Sequence, residues 1–198
     1  LVTLNTLLHD HEFSRACALA HELYKVGVDA LIIQDLRLLE HDLPPIRLHA
    51  STQCDNRTPE QVLHLQQLGF RRAVLARELS LQEISKINSA ILIQNSKFKI
   101  ELEAFVHGAL CVCYSGQCYL SEHIAGRSAN RGACIQACRS RYDLIDATGK
   151  VLAKDKALLS LKDYNLRERL KELAEAGITS FKIEGRLKNE SYVRNVVR

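Results

Sequence analysis

The sequence predicts an α/β protein built on an incomplete (β/α)8 TIM-barrel-like parallel sheet, with about six of the eight units present. Three observations predict this fold: a repeated helix–glycine–strand pattern, strands that are continuous apolar runs, and polar residues gathered at the strand ends. Alternating strands and helices of this kind give a parallel sheet that is covered by helices. A cysteine-rich insertion follows the fifth predicted strand.

The repeat occurs in three segments, each running from a helix end through a glycine into a short apolar strand. These segments are residues 25–35, 67–78 and 175–186. Their glycines, Gly27, Gly69 and Gly177, suit the left-handed conformation that commonly follows a helix. Further strands are predicted at residues 2–5, 47–51 and 99–107. An open nucleotide-binding sheet is the weaker alternative, because no glycine-rich phosphate loop follows any strand.

Capping boxes mark the starts of several helices. In this motif Ser, Thr or Asn precedes Glu or Gln by three residues, and both side chains bind free backbone groups of the first turn. The pairs are Thr58–Gln61, Ser80–Glu83 and Asn165–Glu168. We therefore expect a helix to begin after each of the three capping residues.

Polar residues at the strand ends favour a barrel, because the carboxyl ends of barrel strands converge on the face that carries the chemistry. The set comprises Asn5, Gln34, Asp35, His49, Ser51, Thr52, Arg77, Glu78, His107, Glu184 and Arg186. Single members carry little weight, since strand ends meet water in any protein. We predict a catalytic group formed by His49, Arg77, Glu78, His107, Glu184 and Arg186. We also expect about two further barrel units before residue 1.

The composition limits the class of protein. Of the 198 residues 46% are apolar, which is enough for a core without disulfides or metal ions as staples. No apolar run approaches the ~20 residues of a membrane span, so we expect a cytoplasmic protein with no membrane partner. The net charge of +4 permits a nucleic-acid partner without requiring one.

Five of the seven cysteines lie within 28 consecutive residues, namely Cys111, Cys113, Cys118, Cys134 and Cys138. An odd count in a chain of this size disfavours a disulfide framework. Soft thiolate ligands suit zinc or an iron–sulfur cluster. Zinc sites usually contain two close cysteine pairs. Among Cys111, Cys118, Cys134 and Cys138, only the last two are that close. The spacing therefore favours a cluster and leaves zinc as the alternative.

Several stretches resemble the collagenase-like peptidase family U32. They are residues 103–121, 3–6, 49–54, 75–78 and 181–186. Within that family the chain is most similar to the branch that makes 5-hydroxycytidine in large-subunit ribosomal RNA. The resemblance implies a barrel-like domain and prephenate as the source of the hydroxyl group. It also implies a [4Fe–4S] cluster with Cys111, Cys118, Cys134 and Cys138 as ligands, and leaves Cys113 unassigned.

Basic and aromatic side chains near the cysteines are candidates for binding. Arg127, Arg131 and Arg139 lie in a segment without acidic residues and suit RNA phosphates or a dicarboxylate such as prephenate. Tyr114 and Tyr119 suit stacking on an unstacked RNA base. The simpler alternatives are a solvated face for the arginines and core packing for the tyrosines.

Proteolysis, which the family name implies, is the alternative function. The sequence contains neither a His-Glu-x-x-His zinc motif nor a Gly-x-Ser-x-Gly elbow. A loop cysteine paired with His49 or His107 is the protease arrangement that is left. In a hydroxylase, the same two histidines are candidates for proton transfer, with Glu78, Glu103 and Glu184 as partner carboxylates.

The resulting prediction is an iron–sulfur-dependent enzyme that hydroxylates cytidine in large-subunit ribosomal RNA. Its predicted partners are ribosomal RNA and a small dicarboxylate. A zinc-stabilised binding module is a third class. We divide the chain into barrel units (1–110), a cluster-binding insertion (111–142), and a hairpin with the last barrel unit (143–198). The oligomeric state is left open.

Overall fold

The fold is seen in a computed structural model that describes residues 1–185 and 188–198. The predicted site residue Arg186 lies outside the described residues. The strands are β1 (Val2–Leu4), β2 (Ala30–Ile33), β3 (Arg47–Ala50), β4 (Arg72–Val74), β5 (Glu101–Gly108), β6 (Tyr142–Ile145), β7 (Val151–Lys156), β8 (Tyr164–Asn165) and β9 (Ile178–Glu184). Strands β6 and β7 form a separate antiparallel hairpin, and the other seven form one sheet.

The α-helices are α1 (Phe13–Lys25), α2 (Pro59–Gln67), α3 (Leu81–Ile93), α4 (Leu120–Ala125), α5 (Leu170–Glu175) and α6 (Glu190–Val197). The connection from β2 to β3 contains only a short 3₁₀ helix, Leu36–Glu40. Within the described parts of the chain, no helix is long and apolar enough to cross a membrane.

Six strands of the main sheet pair in parallel and in chain order, β1–β2–β3–β4–β5–β9, which confirms the predicted parallel α/β sheet. The seventh strand, β8, pairs antiparallel with the end of β5, where Asn165 lies opposite His107. In the residues that the structure describes, β1 and β9 do not pair with each other, so the sheet is open. The strands present thus form a parallel sheet rather than a closed barrel.

The main core lies between the sheet and its helices. Successive strand side chains point to opposite faces, and on β5 the residues Leu102, Ala104 and Val106 face the helices. Phe70, which is fully buried, packs in the same cluster. The alternate β5 residues, among them Glu103 and His107, therefore face away from this core and are free to build a site.

Two of the three predicted capping boxes are confirmed, and the third is wrong. Thr58 and Ser80 accept hydrogen bonds from the third residues of α2 and α3, and the return bonds are also present. Asn165 instead belongs to β8, because it is drawn into antiparallel pairing with β5. Its side chain accepts a hydrogen bond from the Arg167 amide at 3.1 Å, and a 3₁₀ turn precedes α5.

The glycines of the repeat have the predicted backbone conformation. Gly27, Gly69 and Gly177 have φ values of 81°, 93° and 108°. At Gly177 a Cβ atom would lie 2.2 Å from the side chain of Asn88 on α3, so a side chain there would push α3 away from β9. The helix–glycine–strand repeat therefore reports real chain reversals.

We expect Ile91→Ala to destabilise the protein by about 2–5 kcal/mol, because Ile91 of α3 is 2% exposed and its loss leaves a cavity. The matched control is Ile93→Ala on the same helix, where the side chain is 84% exposed. We expect that change to stay within about 0.5 kcal/mol. Urea unfolding of both variants under reducing conditions measures the difference, and equal losses would contradict the placement of the core.

Candidate functional site

The cysteine-rich segment is docked on the carboxyl edge of the sheet through Ser115, which is fully buried. Glu78, in the loop after β4, accepts hydrogen bonds from the Ser115 amide at 2.8 Å and from its hydroxyl at 3.1 Å. The Thr52 hydroxyl, in the loop after β3, lies 3.3 Å from the Ser115 hydroxyl. Glu78 was predicted to be catalytic, and in the structure both of its carboxylate oxygens hold this segment.

The next two residues continue this contact. A Cβ atom on Gly116, whose φ is 75°, would lie 2.2 Å from the Gln53 carbonyl oxygen, so only glycine allows the approach. The Gln117 side chain donates a hydrogen bond to Asp55 at 3.0 Å. Because both partners follow β3, the segment is fixed against two adjacent strand ends.

Arg131 fixes the far end of the segment near β1. Its Nη2 atom lies 3.0 Å from both carboxylate oxygens of Glu12, and its Nη1 atom donates to the Leu7 carbonyl. Arg131 was predicted to bind a cofactor, and these contacts instead engage it in the chain. Together with the contacts after β3 and β4, they place the cysteine-rich segment over the edge where parallel α/β folds bind ligands.

The thiols of Cys111, Cys118 and Cys134 lie near enough to the Cys138 thiol to influence its pKa. Burial raises the pKa of the Cys138 thiol, and the neighbouring thiols of Cys111, Cys134 and Cys118 raise it further. Burial also raises the pKa of Cys113 to about 11, with added contributions from Cys118 and Cys111. The fifth thiol therefore belongs to the same group.

Buried polar side chains hold the backbone around these cysteines. Asn130 accepts a hydrogen bond from the Cys118 amide at 3.0 Å and donates to the Cys118 carbonyl at 3.1 Å. Ser121 accepts from the Ile135 amide at 3.2 Å, and its hydroxyl lies 3.9 Å from the Cys134 sulfur. The sequence analysis missed both residues, since nothing in a lone Asn or Ser indicates which backbone groups it will bind.

The side chains of the cysteine site are sulfur donors. All seven cysteines are free thiols, and grouped thiolates are the donors that iron–sulfur clusters and zinc prefer. Among residues 1–185 and 188–198, no group of three or more His, Cys, Asp or Glu side chains is placed to hold a metal ion. The donor chemistry fits a sulfur-ligated group, and the identity of that group stays a prediction.

A charged network lies on the sheet face opposite the helices. The Arg72 guanidinium forms ion pairs with Glu101 at 2.5 Å and with Glu103 at 3.1 Å, and Lys182 pairs with Glu103 at 3.1 Å. The Ser180 hydroxyl donates to Glu103 at 2.8 Å. Glu103 was predicted as a partner carboxylate for a histidine, but only strand register shows that Arg72 and Lys182 are its partners.

Two buried side chains in this region, Glu103 and His49, have lowered pKa values, which leave the first charged and the second neutral. Burial raises the pKa of Glu103, but Lys182, Ser180 and Arg72 outweigh burial and hold the pKa below its usual range. Glu103 is therefore a carboxylate. Burial and the nearby Arg72 lower the pKa of His49, which is 6% exposed, so its imidazole is neutral. No hydrogen-bond partner of His49 Nδ1 is found among the described residues.

The predicted catalytic histidines lie at different levels of the sheet. His49 is opposite Arg72, which is opposite Glu101 at the start of β5, whereas His107 is six residues further along β5. At ~3.3 Å per residue this is a separation of roughly 20 Å along the strands. His107 Nδ1 lies 2.7 Å from the hydroxyl of Tyr192 on α6. The sequence pattern treated both as strand ends because it does not show the stagger between strands.

The remaining predicted site residues lie in different surroundings. Arg77 lies with its guanidinium carbon 5.6 Å from the centre of the Phe105 ring, and Glu184 ends β9 opposite Gly108. Arg139 donates to main-chain carbonyls of residues 110 and 161, both at 2.6 Å. Arg127 is exposed. Its binding role, and that of Arg139, stay predictions.

Comparison with known proteins identifies the family, because the model of peptidase family U32 matches residues 1–198. The chain belongs to peptidase family U32. A 23S rRNA 5-hydroxycytidine synthase of Escherichia coli is 54% identical over 98% of this chain and 29% of its own length. The tRNA hydroxylation protein P1 of Bacillus subtilis is 36% identical over 99% of this chain and 47% of its own length. A collagenase of Porphyromonas gingivalis is 31% identical over the whole chain and 49% of its own length.

The chain thus spans between about a third and a half of the length of these curated U32 relatives. This part of a U32 protein contains the cysteine-rich segment, the carboxyl edge of the sheet beneath it and the charged network.

We expect Glu78→Ala to loosen the cysteine-rich segment, because it removes the acceptor for two Ser115 hydrogen bonds, one from a fully buried side chain. Leaving a buried donor unpaired costs about 1–3 kcal/mol. Hydrogen exchange of residues 111–118 should accelerate, while α1 is unchanged. The control is Glu40→Ala, an exposed carboxylate distant in sequence from the segment. Unchanged exchange in Glu78→Ala would show that Ser115 does not anchor the segment.

We expect stability to fall as the pH decreases through about 6.5, since the unfolded chain protonates His49 there whereas the folded protein, with its lowered pKa, does not. The loss should level off below the folded-state pKa. His49→Gln should reduce this pH dependence by up to about 1.4 kcal/mol per unit of pKa difference. Urea midpoints at about pH 7, 6 and 5 measure it, with His64→Gln on the exposed face of α2 as control. The same pH dependence in His49→Gln and wild type would refute it.

Proposed function

We propose that the chain is the cluster-binding part of an iron–sulfur-dependent enzyme that hydroxylates cytidine in large-subunit ribosomal RNA. The observation that carries the proposal is the 54% identity to the E. coli 23S rRNA 5-hydroxycytidine synthase, which extends over 98% of this chain. The B. subtilis relative named for tRNA hydroxylation supports the same class of reaction. A ribosomal RNA substrate places the proposed enzyme in the cytoplasm.

The convergence of the four cysteines supports a [4Fe–4S] group held by Cys111, Cys118, Cys134 and Cys138. A single zinc ion, at ~2.3 Å from each sulfur, needs its ligands close together, whereas a cluster separates them by its own volume. When bound, such a group supplies the electron transfer that side chains cannot perform.

The chain's own residues supply RNA contacts in this proposal. Tyr114 and Tyr119 are 60% and 66% exposed, so they do not fill a core and are available to stack on a base. Arg57 lies 4.7 Å from the Tyr114 ring centre and adds positive charge beside it. The exposed Arg127 is the further candidate for a phosphate contact. Prephenate, or a similar dicarboxylate, is the proposed source of oxygen.

The predicted (β/α)8 barrel is part of the same proposal. Six parallel strands paired in chain order are the arrangement of successive units in a (β/α)8 barrel. We propose that the sheet is an arc of such a barrel. The charged network would then line the barrel interior, beneath the cysteines.

A collagenase-like peptidase is the second candidate, favoured by the name of the P. gingivalis relative. Its nucleophile would have to be a loop cysteine. Burial and neighbouring thiols raise the pKa values of Cys113 and Cys138, which disfavours the thiolate that such an enzyme needs. A metal group deprotonates the thiols that coordinate it, so the same raised pKa values do not count against ligation.

We expect anaerobically purified protein to contain about four irons and four sulfides per chain, with a broad absorption band near ~400 nm. Cys118→Ala should lose most of the iron. Cys17→Ala, a change in α1 on the core side of the sheet, should retain it and serves as the matched control. One tightly held zinc per chain, or iron retention by Cys118→Ala, would contradict the cluster.

Deletion of the gene that encodes this chain should remove 5-hydroxycytidine from 23S ribosomal RNA, which mass spectrometry of digested RNA detects. Complementation with the wild-type gene should restore it, whereas the Cys118→Ala gene should not. Unchanged RNA together with lost cleavage of denatured collagen would favour the peptidase instead.

A further inference from the structure

A cavity of about 590 Å³ lies beyond the carboxyl end of β4. It exists because β5 changes its neighbour along one edge. The Leu75 amide, just after β4, donates to the Glu103 carbonyl, whereas the Leu166 amide, just after β8, donates to the Val106 carbonyl. Between these two contacts the edge of β5 has room beside it, and the start of α3 closes the other side.

The walls of the cavity are mostly apolar and carry positive charge without acidic residues. Leu79, Leu81, Ile84, Leu166 and Leu173 line it together with the Phe105 ring. The polar lining comes from Arg77, Ser80, Gln82, Tyr164 and Arg169, and no Asp or Glu is among the described lining residues. The volume is within the range of about 300–1,000 Å³ that small-molecule sites occupy.

Arg77 distinguishes this cavity from a packing gap. Its Nε atom is buried and has no hydrogen-bond partner among the described residues, and it forms no ion pair with them. Arg169, the other cation of the lining, is already paired with Glu172 at 2.8 Å. Glu83, at the first turn of α3, is turned back onto the Ser80 amide and hydroxyl, at 2.7 Å each. A buried guanidinium donor without an acceptor is an unmet hydrogen bond that a ligand can satisfy.

We propose that the cavity binds a small carboxylate with an apolar body and that Arg77 binds the carboxylate group. The planar guanidinium matches a carboxylate through two parallel hydrogen bonds. The leucines and Phe105 provide an apolar surface for the rest of the ligand. Inorganic phosphate shares the anionic chemistry but leaves these walls without a partner. Only the role of the ligand as a reactant rests on the function proposed above; its binding does not.

Calorimetric titration of the complete chain, without RNA, tests the proposal with 3-phenylpropionate, benzoate and phenylacetate as probes. We expect at least one of these to bind, and its neutral amide to bind about tenfold or more weakly. Arg77→Gln should weaken binding of that carboxylate by a similar factor. The matched control is Arg71→Gln, an exposed arginine whose guanidinium stacks on Phe98 at 4.0 Å and does not line the cavity.

Urea unfolding of Arg77→Gln checks that the variant is folded. The proposal is overturned by the absence of binding of all three carboxylates to the wild type, by equal affinity for the amide, or by equal binding to Arg77→Gln. Inorganic phosphate that binds as tightly as the carboxylates would also overturn it, because the apolar walls would then add nothing. If the chain binds the carboxylate but gene deletion leaves ribosomal RNA unchanged, the carboxylate site stands and only the proposed RNA function is refuted.

Discussion

The parallel pairing of β1 to β5 and β9 fixes where everything else in the molecule lies. Strands that run in one direction deliver every loop from their carboxyl ends to one edge of the sheet. The cysteine-rich segment binds three of those loops, through Glu12 after β1, Thr52 after β3 and Glu78 after β4. Its cysteines are therefore held over the edge by contacts that no antiparallel arrangement of the same segments would bring together.

The charges on the open face of the sheet are arranged by the same pairing. Register places Arg72 opposite Glu101 on one side of β5 and Lys182 opposite Phe105 on the other side. Glu103 lies between these two β5 positions and therefore meets both cations. A buried carboxylate is tolerable only with such partners, since removal of one leaves an uncompensated charge. With these cations neutralised, Arg77 is left in the described part of the chain as a cation that faces an apolar cavity without a carboxylate.

Local patterns predicted the parallel strands and the caps at Thr58 and Ser80, because each of these depends on residues that are close in sequence. Long-range pairing decided the rest. Asn165 has the sequence pattern of a helix cap but lies in β8, where it pairs with His107 of β5. Arg131 has the pattern of an unpaired cation but pairs with Glu12, 119 residues away. The separation of His49 from His107 depends on strand stagger, which a single sequence does not encode locally.

Arg77 and Glu78 link the two parts of the carboxyl edge, because they are adjacent residues with different partners. Glu78 holds Ser115 and hence the cysteine-rich segment, while Arg77 lies over Phe105 at the cavity. A carboxylate bound to Arg77 would fix the turn that carries both residues, and so would fix one anchor of the segment. Conversely, a segment rigidified by a bound cluster would hold Arg77 in its place, so the two binding events should favour each other reciprocally.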